Sequence, residues 1–97
     1  MKIPPFKLVP QPLTDEAATL PKFRWTDPEV GQRHQLGGQP VRLKPADFPK
    51  CDSCSEQMTF YGQLDSINDD IVIGDAGLVC VFVCLECLTA KALIQSP

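Results

Sequence analysis

Two short cysteine pairs restrict the possible folds of this chain more than any other feature of its sequence. Cys51-Asp52-Ser53-Cys54 and Cys84-Leu85-Glu86-Cys87 are both C-x-x-C motifs, and 29 residues separate them. A C-x-x-C turn places two thiolates on one side of a tight loop, and two such loops supply the four tetrahedral ligands that Zn²⁺ prefers. The sequence therefore predicts a metal site made of Cys51, Cys54, Cys84 and Cys87.

The expected metal is zinc, and its expected role is structural. Four thiolates close the coordination shell, whereas a catalytic zinc keeps an open position for water or substrate. Iron uses the same four thiolates, so the pattern alone leaves it open, and zinc is favoured on availability. Metal binding matters here because a chain of 97 residues buries a small core, and zinc binding contributes directly to folding free energy.

Other uses of the cysteines fit the sequence less well. An odd number of cysteines, five in all, is unsuited to a disulfide framework, and a thioredoxin-like motif would need one C-x-x-C opening a helix.

The longest apolar run covers residues 78–85, too short to cross a membrane, and prolines interrupt the N-terminus at once. We therefore expect a protein of the reducing cytoplasm, with no membrane association.

Cys80 is predicted to be a buried core thiol. It lies four residues before Cys84 on one predicted strand, so both side chains point to one face, but roughly 13 Å apart. Sulfurs that share one zinc ion lie about 4 Å apart, which excludes Cys80 from the same site. We expect it to pack with Leu78 and Phe82.

The residues after the first cysteine pair are typical of β-strands. Residues 58–65 alternate, with Met58, Phe60 and Leu64 expected on one side. Residues 71–73 and 78–84 are apolar runs rich in β-branched side chains around a glycine turn at 74–77. Residues 88–95 form either a last strand or a short helix, and we favour a strand or an irregular tail. The predicted fold is mainly β, a small antiparallel sheet with a zinc-ribbon-like four-cysteine site and a loop-rich N-terminal segment.

The N-terminal half is rich in proline and is expected to hold little regular structure. We divide the chain into a proline-rich extended arm, residues 1–22, and a single zinc-stabilised β domain, residues 23–97. Within the arm, no strand is expected, and one helical turn is expected over residues 14–20 with Thr14 as its N-cap. Residues 23–49 should lie across one face of the sheet through spaced apolar anchors: Phe23, Trp25, Leu36, Val41, Leu43 and Phe48.

The charge distribution bears on the choice of partner. Residues 1–49 carry seven Lys and Arg against five Asp and Glu, while residues 50–97 carry two against seven. The acidic half is a poor phosphate binder, which makes a nucleic-acid-binding zinc ribbon the second hypothesis rather than the first. Such a ribbon would use a basic stripe and stacking aromatics: Arg24, Arg33, Arg42, Lys44 and Lys50, with Trp25 or Tyr61.

An enzyme is the third hypothesis. It would require His34 to converge with Asp65 or Asp75, and the sequence identifies no nucleophile for His34 to activate. We therefore expect no catalytic residue and interpret His34 as a loop histidine bonded to local backbone. The acidic run at residues 65–70 fails the calcium-loop pattern of an EF-hand and is interpreted as a solvated turn.

Several motifs resemble those of the YwqG-like bacterial proteins of unknown function, in particular the short members that bear a zinc knuckle. The similar segments are residues 34–40, 49–54, 58–65, 74–77 and 81–84, within a region covering residues 23–90. The resemblance implies a β-rich scaffold and a bacterial origin, and it transfers no catalytic residue. Typical members are longer, and several lack the cysteines.

The expected function is that of a non-enzymatic, zinc-stabilised protein-interaction module with an unidentified protein partner. The closed metal site, the acidic second half and the missing catalytic residues all favour it. The resemblance adds a further alternative, an immunity-type partner of a bacterial toxin, because YwqG-like proteins are suspected of such roles.

Overall fold

A five-stranded antiparallel sheet forms the body of the computed structural model, which describes residues 1–26 and 28–95. The strands follow one another in chain order across the sheet. They are β1 (Phe6–Lys7), β2 (Gln35–Leu36), β3 (Thr59–Asp65), β4 (Leu78–Cys84) and β5 (Thr89–Gln95). A four-residue helix, α1 (Asp15–Ala18), and a 3₁₀ turn at Pro45–Asp47 complete the regular structure of the described residues. In these same residues, no helix combines the length and the apolar character needed to cross a membrane.

The prediction of a mainly β fold is confirmed. The three long strands are β3, β4 and β5, and β4 lies between the other two. Its seven residues are all apolar and pair with β3 on one side and with β5 on the other. Alternate side chains, from Leu78 to Cys84, are buried, as the two-residue period of a strand requires. The last strand is also confirmed, since β5 pairs with β4 along its whole length.

The prediction that Leu64 shares the buried face with Met58 and Phe60 is wrong. Met58 and Phe60 are buried, but Leu64 is 52% exposed. The register shifts between Phe60 and Gly62, where a β-bulge inserts Tyr61 as an extra residue. An inserted residue exchanges the two faces of the strand beyond it, so Gln63 and Asp65 become the buried residues instead.

The predicted strand at residues 71–73 is also wrong. Ile71 and Val72 are exposed, and Ile73 makes an isolated bridge with Gly77. Because the hydroxyl of Ser66 accepts from the Ile73 amide and donates to the Gly77 carbonyl, this segment folds back as a loop.

The acidic run is only partly a solvated turn, contrary to expectation. Asp70 is exposed, but Asp65, Ser66 and Asn68 are buried. The Asn68 side chain accepts from the amides of Asp70 and Ile71, and its Nδ2 donates to the Pro21 carbonyl at 3.0 Å. Polar side chains enter the interior here because each one satisfies a backbone group of the loop.

The N-terminal segment holds the predicted helical turn and, against expectation, a short strand. Thr14 caps α1 by accepting from the Ala17 amide at 3.1 Å. The exclusion of any strand is wrong for β1, which fits between Pro5 and Pro10 and pairs with β2. The division between residues 22 and 23 stays a prediction; Asp27, Ser96 and Pro97, within the predicted 23–97 domain, lie outside the described residues.

The core lies on one face of the sheet, under residues 37–50, which follow β2 and which we call the covering segment. Its buried side chains are Cys51, Met58, Phe60, Leu78, Cys80, Phe82 and Cys84. Val41, Leu43 and Phe48 pack against this cluster, as the sequence predicted. Trp25 does not, since it is 87% exposed in a bend that the Arg24 amide fixes by donating to Asp69.

We predict that Phe48→Ala lowers the free energy of unfolding by about 2–4 kcal/mol. The Phe48 ring lies 5.0 Å from that of Phe82 and 6.4 Å from that of Phe60, so truncation removes the main apolar contact of the covering segment. Trp25→Ala is the matched control, with an expected change below about 0.5 kcal/mol. Urea unfolding would measure both, and equal effects would contradict the assignment of Phe48 as the anchor.

Candidate metal centre

Each cysteine pair forms a hairpin turn of the same design. The first lies inside a bridge between Lys50 and Gln57, and the Ser55 amide donates to the Cys51 carbonyl at 2.8 Å. The second joins β4 to β5, where the Leu88 amide donates to the Cys84 carbonyl at 2.9 Å. The two turns therefore close through the same hydrogen bond, from residue i+4 to the first cysteine.

The two turns also share a backbone conformation that residues other than glycine seldom adopt. The φ angles of Ser55 and Leu88, each four residues after the first cysteine of its pair, are 65° and 57°. The left-handed backbone conformation is unfavourable for any residue other than glycine, and here it occurs twice at equivalent positions. The matching φ angles show that the two cysteine turns are built on one backbone design.

The four cysteine sulfurs lie together at the end of β4. All four Sγ atoms are within 4.8 Å of one another, and the Cys54 and Cys84 sulfurs are 3.8 Å apart. A tetrahedral zinc site with Zn–S bonds near 2.3 Å has sulfur–sulfur edges of about 3.8 Å. The residues predicted from the sequence are thus close enough to hold a metal ion, and the all-thiolate donor set suits zinc or iron.

The surroundings of the four sulfurs lower the pKa of one thiol and raise the pKa of another. The Thr89 hydroxyl lies 3.3 Å from the Cys51 sulfur, and with the amides of Cys54 and Ser53 it lowers the pKa of Cys51 to about 6. The neighbouring thiols, Cys54 first, raise the pKa of Cys87 to about 12. The Cys51 thiol therefore loses its proton more readily than the Cys87 thiol, and a bound cation would favour loss of the proton from Cys87.

Two contacts that the sequence analysis missed join the first turn to β5. One is the contact of Thr89 with Cys51, and the other is an ion pair between Lys91 and Asp52 at 3.0 Å. The ion pair is exposed on the Asp52 side and contributes little stability. The local sequence gives no sign that Thr89 contacts Cys51, because the packing of the two turns brings these residues together.

Cys80 lies outside the cluster, as predicted. It is fully buried on the same face as Leu78 and Phe82, and burial raises its pKa to about 11. It is a protonated, apolar component of the core.

A second group of polar side chains lies at the opposite end of the long strands. Arg33 holds the buried Asp65 carboxylate through Nε at 2.7 Å and Nη2 at 2.7 Å, and the amides of Gly31 and Arg33 donate to the same group. Burial alone would raise the pKa of Asp65, but these hydrogen bonds and the guanidinium charge outweigh it and hold the pKa below the usual 3.8.

The structure brings together two of the residues that the enzyme hypothesis requires, His34 and Asp65. His34 Nδ1 accepts from the Asp65 amide at 2.9 Å. We expected His34 to bond to local backbone, but its partner lies 31 residues away in the sequence. The Asp65 carboxylate is occupied by Arg33, and Asp75 is exposed in the 74–77 turn. The sequence analysis missed the Arg33–Asp65 pair because it joins residues 32 positions apart.

Two of the five basic residues that the nucleic-acid hypothesis requires are paired with carboxylates. Arg33 is turned inward toward Asp65, and Arg24 forms an ion pair with Asp69 at 3.4 Å. Arg42, Lys44 and Lys50 are exposed, as are Trp25 and Tyr61.

Comparison with known proteins gives one similarity of limited extent. The chain is 31% identical over 61 residues to the uncharacterized protein YpfL of Salmonella typhimurium, a match that covers 63% of this chain and 14% of that protein. The matched region is thus a small part of the relative. No protein-family profile and no solved structure matches the chain.

We predict that Cys51→Ser and Cys87→Ser abolish stoichiometric metal binding and unfold the domain, because each removes one ligand of four. Cys80→Ala is the matched control; it should keep the metal and lose on the order of 1 kcal/mol of packing. Elemental analysis and circular dichroism would measure the two effects. Loss of metal from Cys80→Ala would contradict the assignment of the four ligands.

We predict that Asp65→Asn lowers the free energy of unfolding by about 3–5 kcal/mol, because it leaves the Arg33 charge half-buried and unpaired. Asp75→Asn, at an exposed position, is the control. The lowered pKa of Asp65 also fixes the pH dependence: the stabilisation is complete above pH 3.8 and is lost as the pH falls toward the lower folded value. Urea unfolding between pH 3 and 7 would measure it, and a wild-type–variant difference independent of pH would contradict this role.

Proposed function

We propose that this protein is a non-enzymatic, zinc-stabilised protein-interaction module of the bacterial cytoplasm. The observation that carries the proposal is the face of the sheet opposite the core, which we call the outer face. Its side chains come from all five strands: Phe6, Leu36, Thr59, Tyr61, Leu64, Val79, Val81, Val83, Ala90, Ala92 and Ile94.

The outer face is uncharged and open to solvent. Phe6 is 56% exposed, Leu64 52% and Ile94 64%, while the valines of β4 are half-buried by their neighbours in the sheet. An antiparallel sheet with one face in water normally carries polar side chains there, and a strand that is apolar on both sides is normally covered on both. An apolar patch of this kind is typical of a contact surface for another protein.

Zinc is the metal we assign to the four-cysteine cluster, and its proposed role is structural. Four thiolates would complete the coordination shell and leave no position for water or substrate. The engagement of Asp65 by Arg33 supports the absence of a general base there, since a carboxylate held by five hydrogen bonds is poorly placed to take a proton.

A nucleic-acid-binding zinc ribbon is the second candidate. The exposed indole of Trp25 and the exposed side chains of Arg42, Lys44 and Lys50 favour it. Two of the five basic residues are engaged by carboxylates, which places this function behind the first. An electrophoretic shift at about 50 mM salt would reveal it.

The resemblance to the YwqG-like proteins stays a prediction, and with it the role of an immunity-type partner. The uncharacterized relative from Salmonella typhimurium fits a module whose role is not yet defined.

The proposed function predicts one zinc per chain and a protein partner that binds at the outer face. Capture from native bacterial lysate at low salt should recover a specific protein, which includes untagged copies of the chain itself. Ile94→Lys on the outer face should reduce recovery at least tenfold. Leu13→Lys, at a residue 93% exposed away from the sheet, is the matched control. No specific capture, or capture that Ile94→Lys leaves unchanged, would contradict the proposal.

A further inference from the structure

We infer that Cys54 is the site at which a hydroperoxide oxidises this protein. The product is a disulfide between Cys54 and Cys84 that displaces the metal and joins the two cysteine turns in its place. The inference rests on the proposed function for the metal that is displaced. Two observations carry it: the unequal exposure of the four clustered cysteines, and the contact between the Cys54 and Cys84 sulfurs.

Each cysteine turn buries its first cysteine and leaves its second open to solvent. Cys51 and Cys84 are only 2% and 8% exposed, whereas Cys87 is partly exposed and Cys54 is exposed. The fifth cysteine, Cys80, is fully buried. Because oxidation of a cysteine depends on the access of the oxidant to its sulfur, Cys54 is the cysteine that a peroxide in solution reaches first.

The second sulfur of the disulfide has to lie on the protein side of Cys54. A sulfur that displaces the oxygen of an oxidised cysteine attacks opposite that oxygen, which here departs toward solvent. Of the two buried candidates, Cys51 is in contact with the Thr89 hydroxyl at 3.3 Å, whereas the Cys84 sulfur lies 3.8 Å from that of Cys54. A disulfide bond is about 2.0 Å long, so the sulfurs of Cys54 and Cys84 approach each other by about 1.8 Å.

The reaction balances in two steps that consume one hydroperoxide. The Cys54 thiolate attacks the terminal peroxide oxygen, so an S–O bond forms, the O–O bond breaks, and the other oxygen takes up a proton from solvent and leaves as water or an alcohol. The Cys84 thiolate then attacks the Cys54 sulfur, so the S–S bond forms, the S–O bond breaks, and hydroxide leaves and takes up a second proton. The two sulfurs lose two electrons in all, and the peroxide gains them.

The disulfide takes over the connection that the metal makes. It removes two of the four ligands, so the affinity for zinc is lost. It also links the turn before β3 to the end of β4, between positions 30 residues apart, and a cross-link of this kind restricts the unfolded chain. Disulfides of the reducing cytoplasm are usually transient and redox-sensing. Oxidation therefore releases the metal and leaves the two turns joined, until a thiol reductant reverses it.

Hydrogen peroxide added to the zinc-loaded, reduced full chain tests the inference. One equivalent should release one zinc per chain, followed with a chromogenic chelator, and peptide mass analysis without reduction should find Cys54 linked to Cys84. A thiol reductant followed by zinc should restore the starting form. In excess chelator, the oxidised chain should keep a cooperative thermal transition, and the reduced chain should not.

Cys54→His and Cys87→His form the matched pair of variants, because three cysteines and one histidine also bind zinc. Cys87→His keeps both reacting sulfurs, so peroxide should release its zinc about tenfold faster than that of Cys54→His, or faster still. Cys80→Ala lies outside the cluster and should give the wild-type disulfide. The mapping of the wild-type product decides the inference even where a variant fails to fold.

Four results would each overturn the inference. They are zinc that stays bound after peroxide, a disulfide between any other two cysteines, equal rates of release from Cys54→His and Cys87→His, and an oxidised chain with no cooperative transition in chelator. In each of these cases the reduced chain still binds zinc, so the proposed function stands. A reduced chain that binds no zinc would overturn both.

Discussion

The convergence of four cysteine sulfurs at one end of the long strands is the constraint on which the rest of this structure depends. It joins the hairpin between β4 and β5 to the turn that precedes β3, and so fixes β3 and β5, the two neighbours of β4. The two turns adopt a left-handed residue at equivalent positions, so they share one backbone design. Cys51 and Cys84 also belong to the buried core, so the candidate metal site and the hydrophobic core are continuous.

The opposite end of the same strands is held by an ion pair instead. Asp65 ends β3 opposite Leu78, the first residue of β4, and Arg33 reaches it from the residues just before β2. The chain between β1 and Cys51 is thus fastened to the long strands by Arg33 before β2 and by Phe48 after it. The core face of the long strands is thus held at both ends, by the cysteine cluster at one and by the ion pair at the other.

Local patterns predicted the parts of this structure that depend on local chemistry. The clustering of the four cysteines, the burial of Cys80, the strand β5 and the cap at Thr14 all follow from spacing or propensity. The bulge at Tyr61 was not predictable, because one inserted residue leaves no mark on an alternating sequence and yet reverses the faces beyond it. The Arg33–Asp65 pair and the contact of Thr89 with Cys51 were missed for a related reason, since both depend on tertiary packing.

The central claim is that metal binding at the four cysteines supplies the stability that the small core lacks. Thermal unfolding of the wild-type chain, with one equivalent of zinc and then with excess chelator under reducing conditions, tests it most directly. The account predicts a cooperative transition with zinc and its complete loss with chelator, restored when zinc is returned. A cooperative transition at the same temperature in both conditions would contradict it.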